Sequence, residues 1–182
     1  MSEEQKLLTV KDIAKAISFS ETEEGIARTI RQIRHWTQSD LLRPLSQKAT
    51  GKGVPRVYEE EWTVLIAAIL LELSRYGATV DILKYASNSL YEDCEEYFGG
   101  HGWYVSTAMT DINVFLQISW TVDPISGEFV GATVMLFDDN DLFEEGYGES
   151  EHVRQVILRD PSSSILVNLT QVADRIYPLT WM

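Results

Sequence analysis

The chain has 182 residues, 45% of them hydrophobic, and a formal net charge of -13. That length admits one substantial core or two small ones. No apolar run reaches the roughly 18–20 residues of a membrane span, and the opening MSEEQKLL is too acidic for a secretory signal, so a cytoplasmic protein that does not engage a membrane is expected. A single cysteine, Cys94, excludes an internal disulfide and a cysteine-cluster metal site.

The charge is unevenly spread. Residues 1–58 carry ten Lys/Arg against seven Asp/Glu, a balance of +3, whereas residues 59–182 carry five against twenty-one, a balance of -16. Between 28 and 56, Arg28, Arg31, Arg34, Arg43, Lys48, Lys52 and Arg56 stand against Asp40 alone. Screening limits the reach of distant charges to about 8 Å at physiological salt, so a local cationic surface can attract a polyanion despite the global charge.

In chain order, Thr9 is a good N-cap for VKDIAKAI, where Val10, Ile13, Ala14 and Ile17 share one helical face. Ser20 is expected to cap a second helix, with Glu23 at capping-box spacing and Glu21, Glu23 and Glu24 at the positive end of its dipole. In that helix Ile26, Ile30, Ile33 and Thr37 form a stripe bordered by Trp36, a core residue on this spacing, while Arg28, Arg31, Gln32 and His35 gather on the opposite face. Such outward side chains suit phosphates and base edges. The segment SQKATGKGVPRVY then reads as a flexible hairpin with basic flanks. Residues 59–76 form a strongly apolar helix stopped by Gly77. Thr79 starts another helix to about Phe98, in which Leu83, Ala86, Leu90, Cys94 and Tyr97 step by three and four.

The order of elements and the letters Ile33, Arg34, His35, Trp36, then Leu41, Leu42 and Pro44, then Arg56, Val57 and Tyr58, then Gly77 and Thr79 resemble the MerR family of winged helix-turn-helix transcription regulators over about residues 8–84. The resemblance implies that Arg34, His35, Arg56 and Tyr58 approach DNA. The chain departs from the family in carrying roughly seven extra residues between Ile17 and Ile33, Gly25 among them, and a histidine, His35, where the family has a tyrosine.

The C-terminal half has another pattern. Ile112, Val114, Leu116, Ile118, Trp120 and Val122 alternate with Asn113, Phe115, Gln117, Ser119, Thr121 and Asp123, which predicts a strand. The turn DPISGE and the return strand FVGATVMLF complete a hairpin, with WYVSTAMT, HVRQVILR and SILVNL as further strands and Thr170 capping a final helix, TQVADRIY. The loop starting at Asp138 has Asn140 and Glu149 at EF-hand positions, yet Leu142 and Phe143 occupy the fifth position and the glycine position, so it reads as a solvated acidic loop. His101 and His152 have no serine, cysteine or carboxylate at catalytic spacing, and Cys94 reads as a small buried hydrophobe.

The expected fold class is α+β: a winged helix-turn-helix domain over 1–78, a linking helix over 79–98 and an acidic antiparallel α+β domain over 99–182. The expected function is that of a transcription regulator, not an enzyme and with no cofactor, that binds duplex DNA as a homodimer. Its DNA-binding residues are Arg28, Arg31, Gln32, Arg34, His35, Arg43, Lys48, Lys52, Arg56 and Tyr58, and its dimer contacts are Leu83, Leu90, Cys94 and Tyr97. The C-terminal domain is left for a small-molecule effector or a protein partner. The alternative is an assembly module on the same scaffold that binds another protein through its acidic sheet.

Overall fold

A computed structural model describes residues 7–45, 56–98, 113–138 and 163–176. Its fold is mixed α+β with five helices and two small antiparallel sheets among those residues. Strand β1 (Leu7–Thr9) leads into α1 (Val10–Ile17) and α2 (Glu23–Gln38). Strand β2 (Val57–Glu59) pairs antiparallel with β1, Leu8 opposite Tyr58, and runs directly into α3 (Glu60–Arg75).

Thr9 caps α1 through a full capping box: the Asp12 amide donates to Thr9 Oγ1 (3.3 Å), and the Thr9 amide donates to Asp12 Oδ2 (2.9 Å). Helix α2 starts two residues later than the Ser20 cap predicts. Thr22 Oγ1 accepts from the Gly25 amide (3.2 Å), while Ser20 Oγ accepts from the Thr22 amide (3.3 Å) and lies 2.8 Å from the Thr22 hydroxyl. Ser20 thus shapes the turn ahead of the cap. A Cβ at Gly25 would sit 2.6 Å from the Ser20 Cβ, so this glycine lets the turn fold back over the start of α2.

The apolar stripe of α2 is buried much as its periodicity predicts, with Ile33 and Trp36 in the core, Thr29 and Thr37 beside them, and Ile26 and Ile30 partly covered. The helix ends where Asp40 takes a left-handed φ of 58° and the Leu41 amide returns to the Trp36 carbonyl (2.8 Å). Helix α3 stops at Gly77 (φ 82°), with the Ala78 and Gly77 amides closing on the Leu73 and Ser74 carbonyls.

Helix α3 is buried on every side, Thr63 through Leu71 without interruption, as an all-round apolar helix must be. Helix α4 (Val80–Phe98) packs on it through Ile82, Leu83 and Ala86. The second sheet has the order β4-β3-β5, with β3 (Val114–Val122) between β4 (Phe129–Asp138) and β5 (Ser163–Asn168). Its hairpin turn is closed by Asp123, whose carboxylate accepts from the Ile125 and Ser126 amides; these bonds hold its carboxyl below the usual aspartate range. Helix α5 (Leu169–Ile176) is capped by Asn168, which accepts from the Gln171 amide (3.0 Å). Thr170, the expected cap, instead accepts from the Val114 amide (2.9 Å) and ties α5 to β3.

One buried cluster runs through both halves: Leu116, Ile118, Val167, Leu169, Val172 and Ile176 join the residues of α1, α2, α3 and α4. The boundary expected at residues 79–98 is therefore crossed by a common core. The strand segments predicted over 103–110 and 152–159 and the acidic loop after Asp138 lie outside the described residues.

Candidate nucleic-acid interface

The surface that α2 turns away from the core is defined by its own burial pattern. With Ile33, Trp36 and Thr37 facing inward, Arg28, Arg31, Arg34 and His35 are exposed and Gln32 is half-buried. Residues 28, 31, 32 and 35 fall within one arc of the helix, and Arg34 lies on its flank. Arg28 is 76% exposed and only 4.0 Å from Glu24 across one turn, a surface pair that restrains neither side chain much.

The N-terminal end of the same helix has the opposite sign. Glu21, Glu23 and Glu24 are all exposed there, where the helix dipole stabilises them. The cationic part of α2 is thus its middle and C-terminal portion. Further cations that residue spacing did not single out are Lys11 and Lys15, one turn apart and exposed on α1.

The rest of the expected interface divides. Lys48 and Lys52 lie outside the described residues. Arg56 is half-buried at the foot of β2, beside Val57, whose carbonyl accepts from the Leu45 amide (3.0 Å). Arg43 is turned toward α4: its Nη2 donates to Asn88 Oδ1 (2.9 Å), its guanidinium lies over the Tyr91 ring at 4.6 Å, and its amide donates to the Tyr91 hydroxyl (3.1 Å). It braces the exit of α2 instead of extending the exposed face.

Tyr58 is a correction. Its ring is fully buried between the small sheet and the helices, and its hydroxyl is 2.7 Å from the Thr37 hydroxyl, so it cannot touch DNA in this fold. The letters Arg-x-Tyr are compatible with either role; only the β1–β2 pairing, too short to show as periodicity, turns the tyrosine inward.

Leu83 and Leu90 are also corrected. They are 5% and 3% exposed within a single chain, packed into the common core, and so offer no surface to a second protomer. The three-and-four stepping of Leu83, Ala86 and Leu90 marks a face buried within this chain, where α4 packs on α3 and β4. Cys94 and Tyr97 are on α4, with side chains that lie outside the described residues.

No group of three or more His, Cys, Asp or Glu suited to a metal ion occurs among the described residues, and no helix there is long and apolar enough to cross a membrane. Compared with protein-family models and with curated proteins, the chain matches none.

Proposed function

We propose that this protein is a duplex-DNA-binding transcription regulator of the winged helix-turn-helix kind, resembling the MerR family, and that it acts as a homodimer in the cytoplasm. One observation carries the reading. Helix α2 buries its apolar stripe and leaves Arg28, Arg31, Arg34 and His35 exposed beside Gln32. Guanidinium groups at that spacing can bind phosphate oxygens or pair bidentately with guanine, and Gln32 can pair with adenine. The carboxylates of Glu21, Glu23 and Glu24 oppose phosphate, so the middle of α2 is the part that reads bases and the helix lies with its acidic end lifted from the backbone. A single module reads few base pairs, and two copies on an inverted repeat supply the remaining discrimination.

A second reading has a specific observation in its favour. The same three carboxylates are exposed at the start of α2, and they fit a protein partner better than a nucleic acid. On that reading the scaffold is an assembly module. Selection of duplexes from a randomised pool, followed by salt titration, separates the two. DNA binding requires a log-linear fall in affinity with salt, at about 0.9 in slope for each phosphate contact. Failure to retain any duplex would discard the DNA reading.

A further inference from the structure

Phe19 stands in the turn between α1 and α2, half exposed, and two guanidinium groups lie against its ring: Arg75 of α3 at 4.2 Å from the centroid and Arg175 of α5 at 4.1 Å. Glu72, largely buried on α3, links the same two arginines through separate oxygens, Oε2 to Arg75 Nη1 (3.2 Å) and Oε1 to Arg175 Nη1 (2.6 Å). Four side chains from the turn, α3 and α5 therefore form one clasp. Cation–π attraction and a charge-assisted hydrogen bond both strengthen when partly desolvated, as Glu72 and Arg175 are here.

The turn that Phe19 anchors is itself fastened to α2. Ser18 Oγ donates to the Ser20 carbonyl (2.8 Å) and lies 3.4 Å from Thr29 Oγ1, whose own proton goes to the Gly25 carbonyl (3.2 Å); Ser20 is in contact range of Gly25, and Thr22 caps the helix. A displacement of Phe19 is passed through Ser18 and Ser20 to Gly25 and Thr29, whose neighbours on the helix are Arg28 and Arg31. Nε and Nη2 of Arg175, the side-on edge of its guanidinium, are buried and find no acceptor among the described residues. Among the described residues, the contacts of this guanidinium are with the Phe19 ring and the Glu72 carboxylate.

From this we infer that Phe19 and Arg175 are positioning residues for α2: the C-terminal helix sets the α1–α2 turn, and through it the orientation of the exposed basic face, without touching DNA. The inference rests on the DNA-binding reading for its functional half and on the clasp alone for its structural half.

The test uses the full chain, with Phe19→Leu, Arg175→Met and Arg175→Lys, and two measurements. In hydrogen–deuterium exchange, Phe19→Leu and Arg175→Met each accelerate exchange of the amides of residues 18–26 by about tenfold, and Arg175→Lys, which keeps a charge for Glu72, does so less. Loosening confined to α5 in Arg175→Met overturns the inference. Should Arg175→Met fail to fold, Phe19→Leu decides it, since this half-exposed side chain is not needed to fill the core: an unchanged turn overturns the clasp. In DNA binding, the ratio of selected-site to random-site affinity falls by about fivefold while the salt slope stays the same, because the phosphate contacts are untouched. A loosened turn with an unchanged ratio overturns the positioning role. An unsubstituted chain that binds no duplex removes the DNA reading alone, and the exchange measurement still decides whether α5 holds the turn.

Discussion

The Thr37 hydroxyl of α2 and the Tyr58 hydroxyl of β2 lie 2.7 Å apart in the core. Thr37 also donates to the Ile33 carbonyl (2.8 Å), which uses its single proton, so Tyr58 is the donor in the pair. This one bond joins the candidate reading helix to the root of the basic segment. Thr37→Val should accordingly cost more than Tyr58→Phe: about 1–3 kcal/mol for a buried hydroxyl donor left without an acceptor, against about 1 kcal/mol or less when the donor itself is removed. Chemical denaturation of the two variants checks the order. Tyr58→Phe should leave the affinity of the folded protein for any duplex unchanged, and a selective loss of affinity in a stably folded Tyr58→Phe protein would restore Tyr58 to the interface.

The two faces of α2 predict two kinds of defect. Arg31→Ala and Gln32→Ala should alter which sequences are preferred, each by roughly 1–3 kcal/mol at one base position, with little loss of stability. Trp36, 2% exposed, has the opposite role. Trp36→Ala should destabilise the fold by about 3–5 kcal/mol, read as a drop in the unfolding midpoint. A stable Trp36→Ala protein that no longer recognises DNA would mean that the faces are assigned the wrong way round.

Much of this was legible locally. The Thr9 cap, the stripe of α2, the stop at Gly77 and the hairpin at Asp123 follow from signals within a few residues of each element, and the structure has each of them. Choices between neighbouring capping residues were not legible. Ser20 and Thr22 can both cap, as can Asn168 and Thr170; the selection is made by which hydroxyl is taken by another partner, Ser20 by the Thr22 amide and Thr170 by the Val114 amide. Periodicity likewise shows that Leu83 and Leu90 face something apolar, without saying whether it belongs to the same chain. The partner is in the same chain, where α4 packs on α3 and β4, and the all-round apolar character of α3 is visible in the sequence while its neighbours are not. The exposed arginines of α2 were legible because a helix that buries one stripe must present the other.

The capping box of α1 predicts an acid-sensitive start to the fold. The Thr9 hydroxyl first, and the Thr9 amide second, hold the Asp12 carboxyl below the ordinary aspartate value of 3.8. A carboxylate with a depressed value in the folded state stabilises the protein at pH above that ordinary value and loses the contribution as pH falls through the lowered one. Asp12→Asn should therefore flatten the acid limb of the stability curve, and Thr9→Ala should cost about 1 kcal/mol near neutrality. Urea titrations across the acidic range compare them; an acid limb identical in Asp12→Asn and the unsubstituted protein would show that the box does not contribute.

Burial of the α4 leucines separates stability from assembly. Leu90→Ala should lose about 2–5 kcal/mol, the range for a large-to-small change in a packed core, with the oligomeric state of the folded fraction unaltered. Sedimentation velocity at fixed protein concentration provides the second number. Dissociation to monomers at unchanged unfolding midpoint would put Leu90 at a subunit contact after all.

Helix α3 packs against α1 and α4 and also against α5 and β5. Removing residues 100–182 takes away Leu116, Ile118, Val167, Leu169, Val172 and Ile176, all buried. It also strips the partners of those residues on α3 and leaves Glu72 without Arg175. Each fully buried aliphatic side chain stabilises by about 1.5–3 kcal/mol, so six together are comparable with the roughly 5–15 kcal/mol net stability of a whole domain. The fragment 1–99 should thus lack cooperative unfolding, or aggregate through the exposed flank of α3, even though its helix-turn-helix letters are intact. Calorimetry or a near-ultraviolet circular dichroism melt reports this directly. A sharp, reversible transition in the fragment would mean that the N-terminal half folds by itself and that the C-terminal sheet only leans on it.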